Sequence, residues 1–283
     1  TAQNVIAAKG LMVDRYIAEY FLEIAKTQEN EVSNLIEAMR YSATNGGKRF
    51  RPALALIVAD LLGVANEKVL PFAMSVEFVH TYSLIHDDLP CMDDDDERRG
   101  KPTNHKVFGE DVALIAGDAL LTEAFHILAT SYSDAELVRS LVRNLSRASG
   151  YRGMVGGQAI DLVAQKTGIS TGKLRLLHEM KTGALIQVSV EGASLIASTS
   201  AKNSERLSGF GSLVGLAFQV ADDLLDYSAE GPEKGNYATV TGLVETQLFL
   251  RELTQQALLC LEPWGEKAEV LRDIVEFNAQ RTK

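Results

Sequence analysis

The sequence predicts an all-α protein, and three observations support this fold class. Apolar residues recur at three- and four-residue spacing along most of the chain, which is typical of helices that bury one face. Strict alternation of apolar and polar residues, the pattern of half-buried strands, is rare. The 6 prolines do not cluster into a linker. Because 283 residues with 46% apolar content can bury a large core, we expect a single domain over residues 1–283.

The helical segments are separated by glycine, serine and proline. Asn45-Gly46-Gly47 follows the second segment in the manner of a C-terminal glycine cap, and Pro52 and Pro71 each fit the first turn of a helix. Lys181-Thr182-Gly183 interrupts the pattern of one long helix. The predicted helices cover residues 11–26, 31–43, 52–62, 71–88, 111–132, 134–149, 153–164, 172–197, 204–227, 241–261 and 266–279.

Charge and cysteine content exclude several classes of protein. The net charge of −10 argues against nucleic acid as a partner, because backbone phosphates are bound by clustered Lys and Arg. Cys91 and Cys260 lie far apart without metal-ligand spacing, which fits a reducing cytosol. The start of the chain has no signal-like pattern, and the apolar windows 52–65 and 185–197 are too short or too charged to span a membrane. We therefore expect a cytoplasmic protein.

An acidic stretch at residues 83–100, SLIHDDLPCMDDDDERRG, stands out along the whole chain. Asp87 and Asp88 end an apolar helical run, and Asp93 to Asp96 follow a break at Pro90. These carboxylates repel one another and lie at the partially negative end of a helix, so a cation is needed. Mg²⁺ takes oxygen ligands from carboxylates and substrate phosphates. The stretch therefore predicts a metal-bridged phosphate ester, and the roles of Asp94 to Asp96 stay open between metal binding, arginine pairing and solvation.

A second acidic cluster, Asp222, Asp223 and Asp226, lies on a later helix. Positions 222 and 226 are one turn apart, so two carboxylates can share an ion. A solvated acidic patch is the alternative for either cluster alone. Both clusters, however, border apolar runs, which favours a position at the margin of the core. Small or amide side chains precede the second cluster at spacing four, where a helix or a substrate can approach closely: Gly211, Gly215 and Gln219.

Basic residues supply the complementary charge. Gly46-Gly47-Lys48-Arg49-Phe50-Arg51 puts Lys48 and Arg51 at a helix start, where backbone N–H groups also favour an anion. Arg98 and Arg99 follow the acidic run, and either phosphate contact or pairing with the neighbouring aspartates would explain them. Both clusters together indicate a phosphate ester held by metal ions between helices.

The motifs resemble those of the short-chain trans-prenyl diphosphate synthases of bacteria and plants. DDLPCMDDDDERRG is similar to the family's first aspartate-rich motif, DDxxxxD followed by two arginines. GGKRFRP, VEFVHTYSLIHDD, GGQAIDL, MKTGALI and FQVADDLLD match further family blocks in the family's order, from about residue 41 to residue 227. The resemblance implies a helical bundle around a central cavity, usually a homodimer, that condenses isopentenyl diphosphate with an allylic diphosphate. It also implies Mg²⁺, with three ions once substrate is bound.

The resemblance assigns roles by position. The implied metal ligands are Asp87, Asp88, Asp93, Asp222 and Asp226, of which Asp87, Asp88, Asp93 and Asp222 are catalytic together with Lys181. The implied isopentenyl diphosphate site comprises Gly47, Lys48, Arg51, His80 and Arg99. The implied allylic diphosphate site comprises Arg98, Lys181, Thr182 and Gln219.

Product length can be argued from helix geometry. Tyr82 lies five residues before Asp87, roughly 7.5 Å along a helix, so its ring would stop a growing isoprenoid tail. The adjacent Ser83 is small, so it does not add a second barrier to chain growth. An aromatic residue here is similar to farnesyl-forming members of the family, and we expect a fifteen-carbon product, with geranylgeranyl diphosphate as the alternative.

One loop departs from the family pattern. Between Tyr227 and the final helices the family has a longer loop with KD and a further lysine, and about ten of its residues have no counterpart here. Lys234 is a weak candidate to replace that lysine. A true deletion would weaken closure over the diphosphate.

Other functions stay open at this point. An inactive regulatory subunit of a heteromeric synthase is compatible with the motifs, although both acidic clusters are intact. His86-Asp87 forms the pair of an HD phosphohydrolase, but the remaining histidines form no obvious ligand set. A class I terpene cyclase would not need GGKRFRP, and a calcium loop would need a glycine after Glu97.

Overall fold

The computed structural model describes residues 1–27, 30–227 and 235–281, and these are almost entirely helical, which confirms the predicted fold class. Short 3₁₀ turns cover Asn30–Val32 and Glu262–Ala268, and Glu179–Gly183 is π-helical. The helices are α1 (Ala2–Thr27), α2 (Ser33–Ala43), α3 (Phe50–Leu61), α4 (Asn66–Asp87), α5 (Asn104–Phe108), α6 (Glu110–Ser131), α7 (Ala135–Ser149), α8 (Met154–Thr167), α9 (Thr171–His178), α10 (Ala184–Ile196), α11 (Ala201–Leu225), α12 (Tyr237–Thr241), α13 (Leu243–Cys260) and α14 (Glu269–Gln280).

Several predicted helix boundaries differ from the structure. The first helix begins at Ala2 and not at residue 11, and two further differences have identifiable reasons. Pro71 does not open a helix but lies inside α4, which begins at Asn66 after an extended Ala65. A proline this near the start removes one backbone hydrogen bond, and the apolar packing of α4 outweighs that loss. The segment predicted as one helix from residue 241 is divided at Gly242, whose φ of 99° is outside the helical region.

A short β-hairpin in the acidic stretch was not predicted. Strands β1 (Glu97–Arg98) and β2 (Lys101–Pro102) pair antiparallel. Arg99 and Gly100 connect them with φ values of 56° and 75°, which matches the two-residue turns that suit the twist of a hairpin. The hairpin sends the Arg98 and Arg99 side chains to different partners, which are described below.

The described chain forms two compact units. The N-terminal unit comprises Ile6–Leu56 and Ala65–Val142, and the C-terminal unit comprises Thr1–Val5, Ile57–Val64 and Arg143–Lys283. In the N-terminal unit α4 packs against α6, and most side chains from Val69 to Tyr82 are buried. In the C-terminal unit α11 packs against α10 and α13, and its core includes Leu216, Val220 and Leu253.

By length and composition alone, helix α6 is long and apolar enough to cross a membrane. The apolar segments considered in the sequence, 52–65 and 185–197, did not include it. One such helix is weak evidence for a span, because core helices of soluble proteins pass the same test. In the N-terminal unit α6 packs against α2, α4 and α5. Cys91 is exposed, Cys260 is half-buried, and both are free thiols.

A buried ion cluster fixes the loop between α2 and α3. The Arg49 side chain is 1% exposed and donates to Glu77 at 2.5 Å, to Asp14 at 2.7 Å and to the carbonyl of Ala43 at 2.6 Å. Arg49 also has a φ of 45°, a strained conformation for a residue with a side chain. Two carboxylates compensate the arginine charge and anchor the loop that contains Lys48 and leads into α3, where Arg51 lies.

We predict that Glu77→Ala lowers the free energy of unfolding by about 3–5 kcal/mol, because it leaves a buried guanidinium under-compensated. Urea denaturation monitored by circular dichroism measures the loss. The matched control is Glu37→Ala, which removes an exposed i,i+3 pair with Arg40 and should cost less than about 1 kcal/mol. Equal losses in the two variants would contradict this account of the Arg49 cluster.

Candidate active site

The acidic loop after α4 folds back so that the backbone of Asp93 meets the backbone of Asp87, six residues earlier. The Asp93 N–H donates to the carbonyl of Asp87 at 2.8 Å, and the N–H groups of Met92 and Asp94 donate to the carbonyl of Leu89. Asp87 is half-buried and Asp93 is exposed. The loop therefore folds back on the end of α4, next to Asp87.

Asp88 has a different environment. It is buried, and its carboxylate accepts hydrogen bonds from Arg98 Nε at 2.7 and 3.0 Å. Arg98 also lies 3.5 Å from Asp95. If the predictions for these residues hold, a metal ion must share the Asp88 carboxylate with Arg98 or displace it, and the allylic diphosphate must bind through the N–H groups of Arg98 that Asp88 leaves available. In the conformation described here, Asp88 positions Arg98.

All five predicted isopentenyl diphosphate residues belong to the N-terminal unit. Arg99 donates to the carbonyl of Gly46, and its guanidinium lies where a Cβ on Gly47 would be. Arg51 Nη1 lies 3.3 Å from Nε2 of His80. Lys48 is exposed on the same loop. Only glycine at position 47, with its φ of 117°, allows Arg99 to approach the backbone this closely.

The surroundings of His80 in this basic pocket favour its neutral form. Burial lowers its pKa well below the usual value, and the positive charges of Arg51, Arg99, Arg49 and Arg98 lower it further. A neutral ring can accept from Arg51 through one nitrogen and donate through the other. The pocket is therefore positively charged through its arginines while its histidine remains a neutral hydrogen-bonding group.

The three aspartates at the end of α11 differ in their surroundings. Asp222 is half-buried and Asp226 is exposed, and the Asp226 N–H donates to the carbonyl of Asp222 at 2.9 Å. Asp223 is buried, and its carboxylate lies 2.8 Å from Nε2 of His178 and accepts from the N–H of Tyr237 at 2.7 Å. Asp223 thus anchors the start of α12, while Asp222 and Asp226 lie one turn apart as predicted.

Asp222 is ion-paired to Arg281, which follows α14. The two side chains are 2.6 Å apart, and that of Arg281 is 7% exposed. Its guanidinium stacks 4.4 Å from the Phe218 ring and donates to the Phe218 carbonyl. A cation that binds Asp222 must therefore share this carboxylate with Arg281 or displace it.

The predicted allylic-site residues of the C-terminal unit gather around the π-helical segment. Thr182 donates to the side-chain oxygen of Gln219 at 2.8 Å, and Lys181 donates to Asp161 of α8. The segment coincides with the predicted interruption at residues 181–183, and π-turns are frequent at functional sites. A Cβ on Gly215 would lie 2.7 Å from Cα of Gly183, so α11 contacts this segment backbone to backbone, as the small residues indicated.

Tyr82 lies in the interior of the N-terminal unit. It is buried and packs edge-on against His86, with ring centroids 5.6 Å apart. Burial and the Asp87 charge raise its pKa to about 12, so the phenol stays protonated. One turn earlier, Phe78 packs against Tyr20 and Phe21. Ser83 donates to the carbonyl of His80 at 2.8 Å.

Comparison with known proteins decides the family. The sequence profile of the polyprenyl synthetase family matches residues 32–240. The chain is 40% identical over 266 residues to farnesyl diphosphate synthase of Micrococcus luteus, which covers 89% of this chain and 90% of that protein. The chain belongs to the polyprenyl synthetase family. It is a prenyltransferase that depends on Mg²⁺, as the family does.

Further relatives support this membership. The chain is 42% identical over 257 residues to geranylgeranyl pyrophosphate synthase 7 of Arabidopsis thaliana, which covers 87% of this chain and 72% of that protein. The crystal structure of an FPP/GFPP synthase from Zymomonas mobilis is similar with a TM-score of 0.89 and 39% identity, and covers 96% of this chain and 98% of that one. The fold of a polyprenyl synthetase thus extends over nearly the whole chain.

The acidic residues fit the magnesium ion on which this family depends. Asp87 and Asp93 provide carboxylate oxygens at adjoining positions of the loop, and Asp222 and Asp226 do the same within one helical turn. Hard oxygen donors of this kind suit Mg²⁺, which keeps several waters and binds through one or two carboxylates plus phosphates. Asp223 does not belong to this set of metal donors, because its carboxylate already contacts Nε2 of His178 and accepts a hydrogen bond from the N–H of Tyr237.

Sequence reasoning missed several residues that shape this polyprenyl synthetase. Asp161 lies in the quoted block GGQAIDL, and its pairing with Lys181 gave no separate signal. Arg281 pairs across a long sequence separation and gave no local pattern. His86 is held by α6, with Nε2 3.0 Å from the Leu114 carbonyl, which does not favour the HD phosphohydrolase alternative. Residues 228–234, including Lys234 of the short loop, lie outside the described residues.

We predict that Arg281→Gln lowers the Mg²⁺ concentration for half-maximal activity by about threefold to tenfold, since about 0.7–1.4 kcal/mol of competition for Asp222 is removed. Initial rates measured at varied Mg²⁺ and saturating diphosphates test this. Arg175→Gln is the control, because Arg175 pairs with Glu179 on an exposed face. An increased Mg²⁺ requirement in Arg281→Gln would show instead that Arg281 assists metal binding.

We predict that the His80 ring is neutral at pH 6.5 in the substrate-free enzyme, because its folded-state pKa lies below the unfolded value of about 6.5. The stability that its neutral form contributes is present at neutral pH and is lost as the pH falls from the unfolded toward the folded pKa. Titration of ¹⁵N-histidine signals by NMR, assigned with His80→Gln, measures this. A His80 signal that titrates at or above 6.5 would refute the prediction.

Proposed function

We propose that this chain is a farnesyl diphosphate synthase, which condenses isopentenyl diphosphate with dimethylallyl and geranyl diphosphates. The observation on which this proposal depends is that the acidic loop at Asp87 and Asp93 and the basic pocket at Arg51, His80 and Arg99 occur together in one unit. Two diphosphates must be bound for a condensation, and a hydrolase or a cyclase needs only one. Relatives named farnesyl diphosphate synthase add support.

The proposed residue roles follow from charge. Lys181, Thr182, Gln219 and Arg98 orient the allylic diphosphate, with Asp87, Asp88, Asp93, Asp222 and Asp226 as metal ligands. Gly47, Lys48, Arg51, His80 and Arg99 hold isopentenyl diphosphate. When bound, Mg²⁺ supplies Lewis-acid stabilisation of the departing diphosphate, and we propose three ions.

The proposed reaction balances without a side-chain nucleophile. The allylic C–O bond breaks and its electron pair leaves with the diphosphate. The double bond of isopentenyl diphosphate, oriented by its own diphosphate in the basic pocket, attacks the resulting carbocation and forms the new C–C bond. A proton then passes to the released diphosphate and restores a double bond. Water must be excluded while the carbocation exists, and the apolar interior around Tyr82 supports this requirement.

The proposed product has fifteen carbons because of Tyr82. A tail that grows away from Asp87 along α4 meets this buried ring about one and a half turns earlier, roughly 7.5 Å down the helix. One turn before Tyr82 on α4, Phe78 packs against Tyr20 and Phe21. These rings extend the proposed barrier to the growing tail beyond a single side chain. The geranylgeranyl product remains the second candidate, because relatives of that name match over most of the chain.

We further propose that both units act as one catalytic domain and that the enzyme is a cytoplasmic homodimer. The outer face of α6 supports a second copy, because Leu114 is 47% and Ile115 is 48% exposed next to each other on an apolar helix. Contiguous exposed apolar side chains mark interaction surfaces. Two free cysteines support a reducing compartment. Sedimentation equilibrium of the wild type and of Leu114→Glu tests the homodimer.

Incubation with Mg²⁺, isopentenyl diphosphate and each allylic diphosphate, followed by product chromatography, tests the function. We expect elongation to farnesyl diphosphate with both dimethylallyl and geranyl starters. Release of phosphate or a cyclic hydrocarbon without elongation would favour the hydrolase or the cyclase. Absence of any reaction in folded protein would favour the regulatory subunit.

We predict that Tyr82→Ala shifts the main product from fifteen to twenty or more carbons, because it removes the ring that stops the tail. The product distribution by mass spectrometry measures the shift. Tyr132→Ala is the control, since this tyrosine bonds to the Lys68 carbonyl, well away from the acidic loop in sequence, and should leave product length unchanged. Farnesyl diphosphate as the main product of a folded Tyr82→Ala would refute this explanation of chain length.

A further inference from the structure

A second group of potential metal ligands lies beside the acidic loop. One carboxylate oxygen each from Asp94 and Asp96 and one ring nitrogen of His105 all lie within 4.8 Å of one another. Asp87 and Asp93 do not belong to this group. It therefore differs from the predicted magnesium ligands in both position and chemistry, because it includes an imidazole.

His105 gives an independent sign of a ligand. The residue is 6% exposed, its Nδ1 lies 3.2 Å from Oγ1 of Thr103, and its Nε2 has no hydrogen-bond partner among the described residues. A buried polar atom without a partner is unfavourable, and buried nitrogens in folded proteins are nearly always satisfied. Neutral imidazole nitrogen is also the commonest metal ligand among side chains. A buried imidazole that has an unpaired nitrogen and lies beside two carboxylates is therefore a candidate ligand for a cation.

The backbone holds the acidic members of the group in place. Thr103 donates through Oγ1 to the Asp95 carbonyl at 2.7 Å and through its N–H to the Asp96 carbonyl at 3.0 Å. These bonds join the loop to the segment that leads into α5, which begins at Asn104 and contains His105. The ligands therefore come from two segments that are already tied together, and little chain entropy is lost on binding.

Lys106 is the charged neighbour that a metal ion would meet. Its ammonium lies 2.6 Å from Asp96, and the two side chains are 43% and 74% exposed. Ion pairs this exposed are weak because water and salt screen them. Lys106 thus partly compensates the charge of Asp96 when no metal ion is bound, and a divalent cation can displace it. The ammonium group does not provide a hydrogen-bond partner for Nε2 of His105.

We propose that Asp94, Asp96 and His105 bind one divalent transition-metal ion, with Mn²⁺ as the representative. Carboxylates with one imidazole suit Mn²⁺ or Zn²⁺ better than Mg²⁺, which prefers oxygen ligands alone. The bound ion fixes the loop that also contains Asp93. This proposal does not depend on the isoprenoid reaction, since the group uses none of the residues assigned to substrate.

Pulsed EPR of the purified full chain with one equivalent of Mn²⁺ and no diphosphate tests the site. The predicted magnesium ligands are all carboxylates, so ¹⁴N coupling to Mn²⁺ reports an imidazole ligand. We expect ¹⁴N coupling in the wild type and its loss in His105→Gln. Because a buried histidine variant can misfold, the exposed variants Asp94→Asn and Asp96→Asn provide a second arm, each with at least about tenfold weaker Mn²⁺ binding at this site.

Two controls make the test specific. Asp95→Asn removes the same charge from the same loop but lies outside the group, and should retain the ¹⁴N coupling and the Mn²⁺ affinity. His86→Gln removes the histidine next to Asp87 and should also retain them. Absence of ¹⁴N coupling in the wild type, or its loss in His86→Gln but not in His105→Gln, would overturn the proposal. Equal weakening by Asp95→Asn and Asp94→Asn would also overturn it, because only the loop charge would then matter.

Discussion

Repulsion among carboxylates at the end of α4 is the constraint on which the site depends. Acidic groups at a helix C-terminus add to the partial negative charge of its unpaired carbonyls. Each buried or crowded aspartate therefore needs a cation. Arg98 compensates Asp88, and Lys106 compensates Asp96. Asp87 and Asp93 are joined through a backbone hydrogen bond, and we propose that the family's magnesium ion compensates these two carboxylates.

The basic pocket shows the same need for charge compensation, with positive charges in place of negative ones. Arg49, Arg51 and Arg99 come close enough to lower the pKa of His80, but they are not equally available to a ligand. Glu77 and Asp14 pair with the buried Arg49 guanidinium, so the charge of this arginine is already compensated within the protein. We therefore propose that Arg49 holds the loop while Arg51 and Arg99 bind an anion. Arg49 is buried, whereas the adjacent Lys48 is exposed.

The sequence predicted features that depend on local spacing and missed those that depend on long-range pairing. Helical periodicity indicated every long helix, and the interruption at Lys181-Thr182-Gly183 coincided with a π-helical turn. The Gly215 spacing indicated a close helix contact because glycine has few other uses inside a helix. The hairpin at residues 97–102 was missed because two residues per strand produce no alternation.

Roles within the second acidic cluster also depended on distant residues. The helical spacing places Asp222 and Asp226 on the same face of the helix. It cannot reveal that the Asp223 carboxylate contacts His178 or that Asp222 forms an ion pair with Arg281. These partners lie dozens of positions away in sequence, and ion pairs of this kind follow no repeating pattern. The metal and substrate roles of individual residues remain predictions for the same reason.

The proposed function requires that Asp87 and Asp222 both act on the same allylic diphosphate. A double-mutant cycle of Asp87→Asn and Asp222→Asn, measured as kcat/KM for geranyl diphosphate at saturating isopentenyl diphosphate, tests it most directly. Residues that act as one unit are strongly non-additive, so the account predicts a double variant hardly less active than the weaker single variant. Losses that multiply in the double variant would mean that the two clusters act independently, and would contradict the account.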